Sequence, residues 1–218
     1  MSTVVRKRWL SSPGSGLSRR DRQGCEYEAY VPDTVGQRSF RLDADVAADT
    51  ADAERAITEL NATARVLVDT EALARLLLRT ESVASSHIEG LAVGGRRLLR
   101  AESARAAGTA AGDLTAEEVL GNIDAMAWAV GTLSRSQSIT VDGILEVHRR
   151  LLAPTRLAEH GGQVRTVQNW IGGSSHNPCR AAFVPPPPER VPDLLVDLVA
   201  FCNDDSLPTV AQAALAHA

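Results

Sequence analysis

Six residues, Ser85 to Gly90 (SSHIEG), put a carboxylate where a helix least favours one. They close the stretch 71–90, whose apolar residues recur at helical spacing and whose final glycine, Gly90, suits a left-handed stop. Glu89 therefore falls in the last turn, where the helix dipole opposes an anion and a lysine would be the ordinary choice. Ser85 stands one turn earlier on the same face, within reach of that carboxylate. Two readings are open. Glu89 is a solvated surface residue with a serine beside it, or it is aimed at a cation from outside the helix, which would offset the dipole cost.

A second stretch, QNWIGGSS at 168–175, sets Trp170 and Ile171 directly before a Gly-Gly pair. With QVRTVQNWI before it and RAAFV after GGSSHNPC, the segment 161–184 reads as a β-hairpin with a long loop. An exposed hairpin edge can accept another chain by strand addition; the alternative is an ordinary hairpin with a packed tryptophan. His148 and His217 lie beside apolar helical positions and read as packed or partner-bonded histidines, not as catalytic ones. His176 and Cys179 lack a second ligand pair at metal spacing, so no metal site is expected. No dinucleotide glycine fingerprint, phosphate-binding loop, nucleophile elbow or H-E-x-x-H pair occurs, and no complete catalytic constellation is present.

The elements that must position these residues are mostly helical. Ala and Leu are abundant and aromatic residues make up only 4% of the chain. After an irregular arm over 1–42, in which YEAYVP suits an extended segment packed on a core, a helix opens on Asp43 and Asp45, with Ile57, Leu60, Ala64 and Leu67 along one face. In the helix 71–89 the expected buried stripe is Leu73, Leu76, Leu77, Val83, Ala84 and Ile88. The segment 94–113 loses the stripe and reads as a connector. Thr115 and Glu118 form a capping box ahead of a helix with Val119, Ile123, Met126, Val130 and Leu133 on its face. Thr140 caps the next helix, which carries Asp142 in its first turn and Arg149 and Arg150 in its last. Past the hairpin, PPPPE makes a rigid connector to a helix with Val191, Leu194, Leu198 and Phe201 inward. A final helix opens at Pro208 and meets no stop signal before Ala218, which suggests an element that continues.

Composition limits the partners. The 218 residues carry a net charge of −4, and the basic runs RKRW and SRRDR are local to the arm, so nucleic acid is not expected. No apolar run is long enough to span a bilayer and no secretory leader opens the chain. Three widely spaced cysteines, Cys25, Cys179 and Cys202, argue for a reducing compartment, and a cytoplasmic protein is expected.

Taken together, SSHIEG, GGQVRTVQNWIGG followed by AAFVPPPPERVPDLLVDLVAFCND, and YEAYVP ahead of helices resemble the Fic family of protein adenylyltransferases over about residues 26–218. The resemblance implies a mainly α, Fic-like helical fold with one small β-hairpin, the flap, and a C-terminally incomplete Fic domain. It divides the chain into the arm 1–42, a helical region 43–108 holding an inhibitory helix at about 71–90, and a Fic domain over 113–218 with the flap at about 163–187. It gives Ser85, Glu89 and Gly90 regulatory places in the pattern Ser/Thr-x-x-x-Glu-Gly/Asn. Arg165, Gln168, Asn169, Trp170, Ile171, Gly172, Phe183, Val184 and Pro185 would form the target-binding flap.

In this family a histidine takes a proton from a target Ser, Thr or Tyr hydroxyl, which attacks the α-phosphate of ATP while Mg²⁺ neutralises charge. The inhibitory glutamate binds an arginine of the signature H-P-F-x-D/E-G-N-G-R-x-x-R and so blocks the γ-phosphate. That signature is absent from these 218 residues. No catalytic residue or metal ligand is therefore assigned here; Glu89 is the sole residue assigned to the nucleotide site, and neither ATP nor Mg²⁺ is expected to bind this chain alone. The implied partner is a protein substrate or the protein itself, with a homodimer compatible. The other function considered is a non-catalytic, antitoxin-like module that presents the inhibitory helix in trans.

Overall fold

The computed structural model describes residues 3–11, 16–64, 70–88, 90–110, 112–136 and 138–217. Among these the chain is mainly helical, with a small two-stranded antiparallel sheet, and it divides into two compact units.

One unit comprises residues 1–38 and 164–201. Its sheet pairs β1 (Thr3–Trp9) with β2 (Cys25–Val31), Thr3 opposite Val31 and Trp9 opposite Cys25. The strands thus lie in the arm read as irregular. β1 escaped notice because its alternation is impure: Val4 faces solvent, while Lys7 takes an inner position and pairs with Glu189. On β2 the alternation is cleaner. Ala29 and Val31 are buried and Glu26, Glu28 and Tyr30 are exposed. The far edge of β2 is also used, the Tyr30 amide donating to the Val184 carbonyl at 2.9 Å. Helix α6 (Val191–Cys202) follows the prolines, with Phe201 buried as expected. Its Asp197 accepts from the amides of Val35 and Gly36 at 2.6 and 3.1 Å, fixing the chain that leaves β2.

Cys25 and Cys179 form a disulfide in this unit, across a sequence separation of 154. The argument from three widely spaced cysteines to a reducing compartment thereby loses its premise. Cys202 remains free.

The second unit comprises residues 39–163 and 202–218. It holds α1 (Ala44–Ala64), α2 (Thr70–Ile88), α3 (Gly95–Ala106), α4 (Leu114–Thr132), α5 (Val141–Leu152) and α7 (Thr209–His217). Its core is Leu98 and Ala101 of α3 with Ala116, Val119 and Leu120 of α4, against which Val83, Leu91 and Ile123 pack. α3 is a helix where a connector was expected. Its buried stripe is only Leu98 and Ala101, too narrow and too alanine-rich to register as periodicity. α4 is capped by Asp113, not by Thr115. The Asp113 carboxylate accepts from the Ala116 amide at 3.2 Å and holds the Arg97 guanidinium through two bonds. Thr140 caps α5 as expected, accepting from the Gly143 amide at 3.0 Å.

Two apolar faces are misread. On α1, Ile57 and Leu60 are exposed, and Leu67 lies outside the described residues. On α2, Leu76 and Leu77 are exposed and Ile88 is 84% exposed; the side chain of Leu73 is not described. The face of α2 that packs carries Ser82 and Ser86, both buried. Their hydroxyls bond back to the carbonyls of Leu78 and Ser82, and the Asn122 amide of α4 donates to the Ser82 carbonyl at 3.0 Å and to Ser86 Oγ at 2.8 Å. Two serines, satisfied by the helix carbonyls and by the half-buried Asn122, are buried in preference to leucines, because their polar groups have partners.

Candidate functional site: a helix terminus and a glycine-turned loop

The C-terminal end of α2 is built as the sequence requires. The helix stops at Ile88, and Gly90 has φ +83°. The Leu91 amide closes a long bond to the Ser86 carbonyl at 2.9 Å, and the Gly90 amide bonds the His87 carbonyl at 3.1 Å. That bond pattern with a left-handed residue satisfies the last carbonyls of a helix and needs glycine at the turn. Ser85, half-buried, faces a groove of about 600 Å³ shared with Glu118, Asn122, Leu151 and Arg156. Glu89 lies outside the described residues. His148 is a bonded histidine, accepting from the Gly162 amide at 3.2 Å through Nδ1, whereas His217 is exposed and not packed.

In the other unit the predicted flap residues come together, but not as a regular hairpin. A single antiparallel bridge joins Ile171 and Phe183. The Ile171 amide donates to the Phe183 carbonyl at 2.9 Å, and the Ala182 amide to the Ile171 carbonyl at 2.7 Å. Gly172 and Gly173 turn the chain at φ +79° and +75°. A Cβ on Gly173 would lie 2.6 Å from the Arg180 carbonyl oxygen, so the position has no room for a side chain.

The remaining residues brace this turn. Arg165 donates to the carbonyls of Val167 and Pro186, and burial pushes its guanidinium pKa down. Gln168 donates to the carbonyls of Asn169 and Pro185, both at 3.0 Å, while its own carbonyl oxygen is buried without a partner among the described residues. Trp170 is packed: its ring meets Trp9 edge to face at 5.3 Å, and its Nε1 donates to the Ser174 carbonyl. Val184 is buried, whereas Ile171 is 64% and Phe183 43% exposed.

Two devices were missed by sequence reasoning. Asn177 is buried, its amide donating to the carbonyls of Arg20 and Asp21 and its oxygen accepting from the Cys179 amide. The H-N-P-C run was read as turn chemistry, which is the trace it left. The Cys25–Cys179 bond left none, since spacing alone cannot pair cysteines so far apart.

Among the described residues no group of three or more His, Cys, Asp or Glu could hold a metal ion, and no helix is long and apolar enough to cross a membrane.

Residues 47–131 match the family described as Fic/DOC family N-terminal. A segment of 82 residues, 36% of the chain, is 37% identical to protein adenylyltransferase fic-1 of Caenorhabditis briggsae and 38% identical to protein adenylyltransferase fic-1 of Caenorhabditis elegans. That segment spans 14% of the length of each relative. The family match takes in most of α1, all of α2 with its glycine stop, α3, and α4 but for its last residue; the loop 164–187 lies outside it.

Proposed function

Because residues 47–131 match the Fic/DOC family N-terminal model and a segment of 82 residues resembles two protein adenylyltransferases, we propose that the chain is the regulatory and target-holding part of a Fic-type protein adenylyltransferase. The observation that carries the reading is the ending of α2. A helix that stops in Ser-x-x-x-Glu-Gly, with Gly90 in the left-handed turn, lies inside the matched segment. Such a turn fixes the end of the helix, and in the sequence Glu89 directly precedes the glycine that makes it. A carboxylate at a helix C-terminus opposes the dipole, a cost that a guanidinium from the family's signature would offset.

The loop 164–187 is assigned the complementary task. The backbone beside the Ile171–Phe183 bridge would pair with an extended target and so hold a Ser, Thr or Tyr hydroxyl by main-chain contacts instead of by side-chain identity. The bracing of Arg165, Gln168 and Trp170 keeps that backbone in one conformation before a target arrives.

Transfer of an adenylyl group requires ATP and Mg²⁺. The residues present do not fit them: the sequence has neither a phosphate-cradling glycine loop nor the H-P-F-x-D/E-G-N-G-R-x-x-R signature. In this proposal, both are held by residues outside these 218.

The test uses the protein expressed from its full reading frame, incubated with Mg²⁺ and ATP labelled at either the α- or the γ-phosphate. Label entering protein from the α position alone is the expected result. Label from the γ position would make the protein a kinase, and no label from either would favour the module that acts in trans.

A further inference from the structure

The basic run SRRDR belongs to the arm, and the structure gathers its three arginines around a depression. Ser11, Arg19, Arg20, Arg22, Gln23 and Arg180 line a hollow of about 770 Å³ in the unit that contains the glycine-turned loop. All four guanidiniums belong to exposed residues, and none has a carboxylate within ion-pair distance among the described residues. On a chain of net charge −4 this is a local concentration of unpaired positive charge. Other basic side chains nearby are neutralised: Arg6 pairs with Glu28 and Lys7 with Glu189.

The hollow is also built. Its two walls are far apart in sequence, and three ties join them. Asn177, 2% exposed, bonds the carbonyls of Arg20 and Asp21. Ser174 donates to the Asp21 carboxylate at 2.6 Å, and the Cys25–Cys179 disulfide closes the side next to Arg180. Asp21, the one acid within the arginine run, is turned to Ser18 and Ser174, and these hydroxyls hold its carboxyl below the usual range. It does not neutralise the arginines by direct pairing.

We propose that this hollow is a docking site for a carboxylate-rich segment of the protein target. Guanidinium forks match carboxylates through paired hydrogen bonds, and four of them around an open hollow suit an extended acidic chain better than a single small anion. Nucleic acid fits poorly, because a phosphate backbone needs a continuous basic track, whereas Arg6 and Lys7 of the same unit are already paired with Glu28 and Glu189. Arg180 stands two residues before Ala182, whose amide bonds Ile171, so an acidic segment in the hollow would be continuous with a chain laid along the loop. The inference rests on the target-holding role proposed for that loop and adds a substrate class: proteins with an acidic stretch beside the modified hydroxyl.

The test measures binding without ATP, so its failure is separate from failure of adenylyl transfer. Fluorescein-labelled octaglutamate is titrated into the full-length protein at low salt, with octaserine and a short DNA duplex as comparison probes. Octaglutamate is expected to bind, octaserine not. Arg20→Gln with Arg180→Gln should weaken it by about tenfold, as loss of two exposed charge pairs allows. Arg19→Gln with Arg22→Gln serves as a second pair should the first alter folding, and Arg96→Gln in the other unit should change nothing. Absent octaglutamate binding, unchanged affinity in both double variants, or tighter binding of the duplex would each overturn the proposal.

Discussion

Asn122 does at residue scale what a leucine stripe was expected to do at element scale. Its amide reaches the Ser82 carbonyl and Ser86 Oγ, so α2 is held to α4 through polar groups. The sequence showed the leucines of α2 but not which face would be covered, because that depends on a partner residue 36 positions away. Asn122→Ala leaves these buried acceptors short of a donor and is expected to lower stability by about 1–3 kcal/mol. Denaturant unfolding checks this, with a smaller loss for Leu77→Ala at an exposed site. Acid tests two further residues. Asp113, through Arg97 and the Ala116 amide, and Asp21, through Ser174 and Ser18, both have pKa values lowered in the folded state. Their stabilisation is present above the ordinary aspartate value of about 3.9 and is lost as pH falls through the lower folded values. A pH series of thermal melts should show stability falling below about pH 4, and Asp113→Asn should flatten that fall.

At the scale of elements, legibility followed the strength of the local signal. Helices with caps and wide stripes, such as α5 and α6, were read with nearly correct ends. α3 was lost to its narrow stripe and β1 to an inward lysine, neither of which local pattern can resolve. The loop 164–187 was legible through its glycines, but its pairing is one bridge, because Arg165, Gln168 and Trp170 spend their hydrogen bonds on loop carbonyls. Gly173→Ala asks for a left-handed alanine whose Cβ meets the Arg180 carbonyl. The conformational cost alone is about 1–2 kcal/mol. Limited proteolysis should open the loop in this variant while the helices of the other unit stay protected.

At the scale of the whole molecule, the distant constraints were the illegible ones. A disulfide closing a separation of 154 residues has no sequence trace, yet it ties β2 to the loop after the glycines. Reduction should destabilise the unit that contains it by roughly 2–5 kcal/mol. A thermal melt with and without reductant reads this directly, and a Cys25→Ser variant should melt like the reduced protein and ignore reductant. The likeness to the Fic family was legible because the spacing of a few residues at the end of α2 carries it, and the family match over residues 47–131 takes in that helix end. The claim on which the account turns is that Glu89 restrains the active site, and the most direct measurement is self-modification of the full-length protein by α-labelled ATP, wild type against Glu89→Gly. The account predicts a rise on the order of tenfold, the usual size of coupling between a regulatory and an active site. An unchanged rate in a variant that melts like the wild type would contradict it.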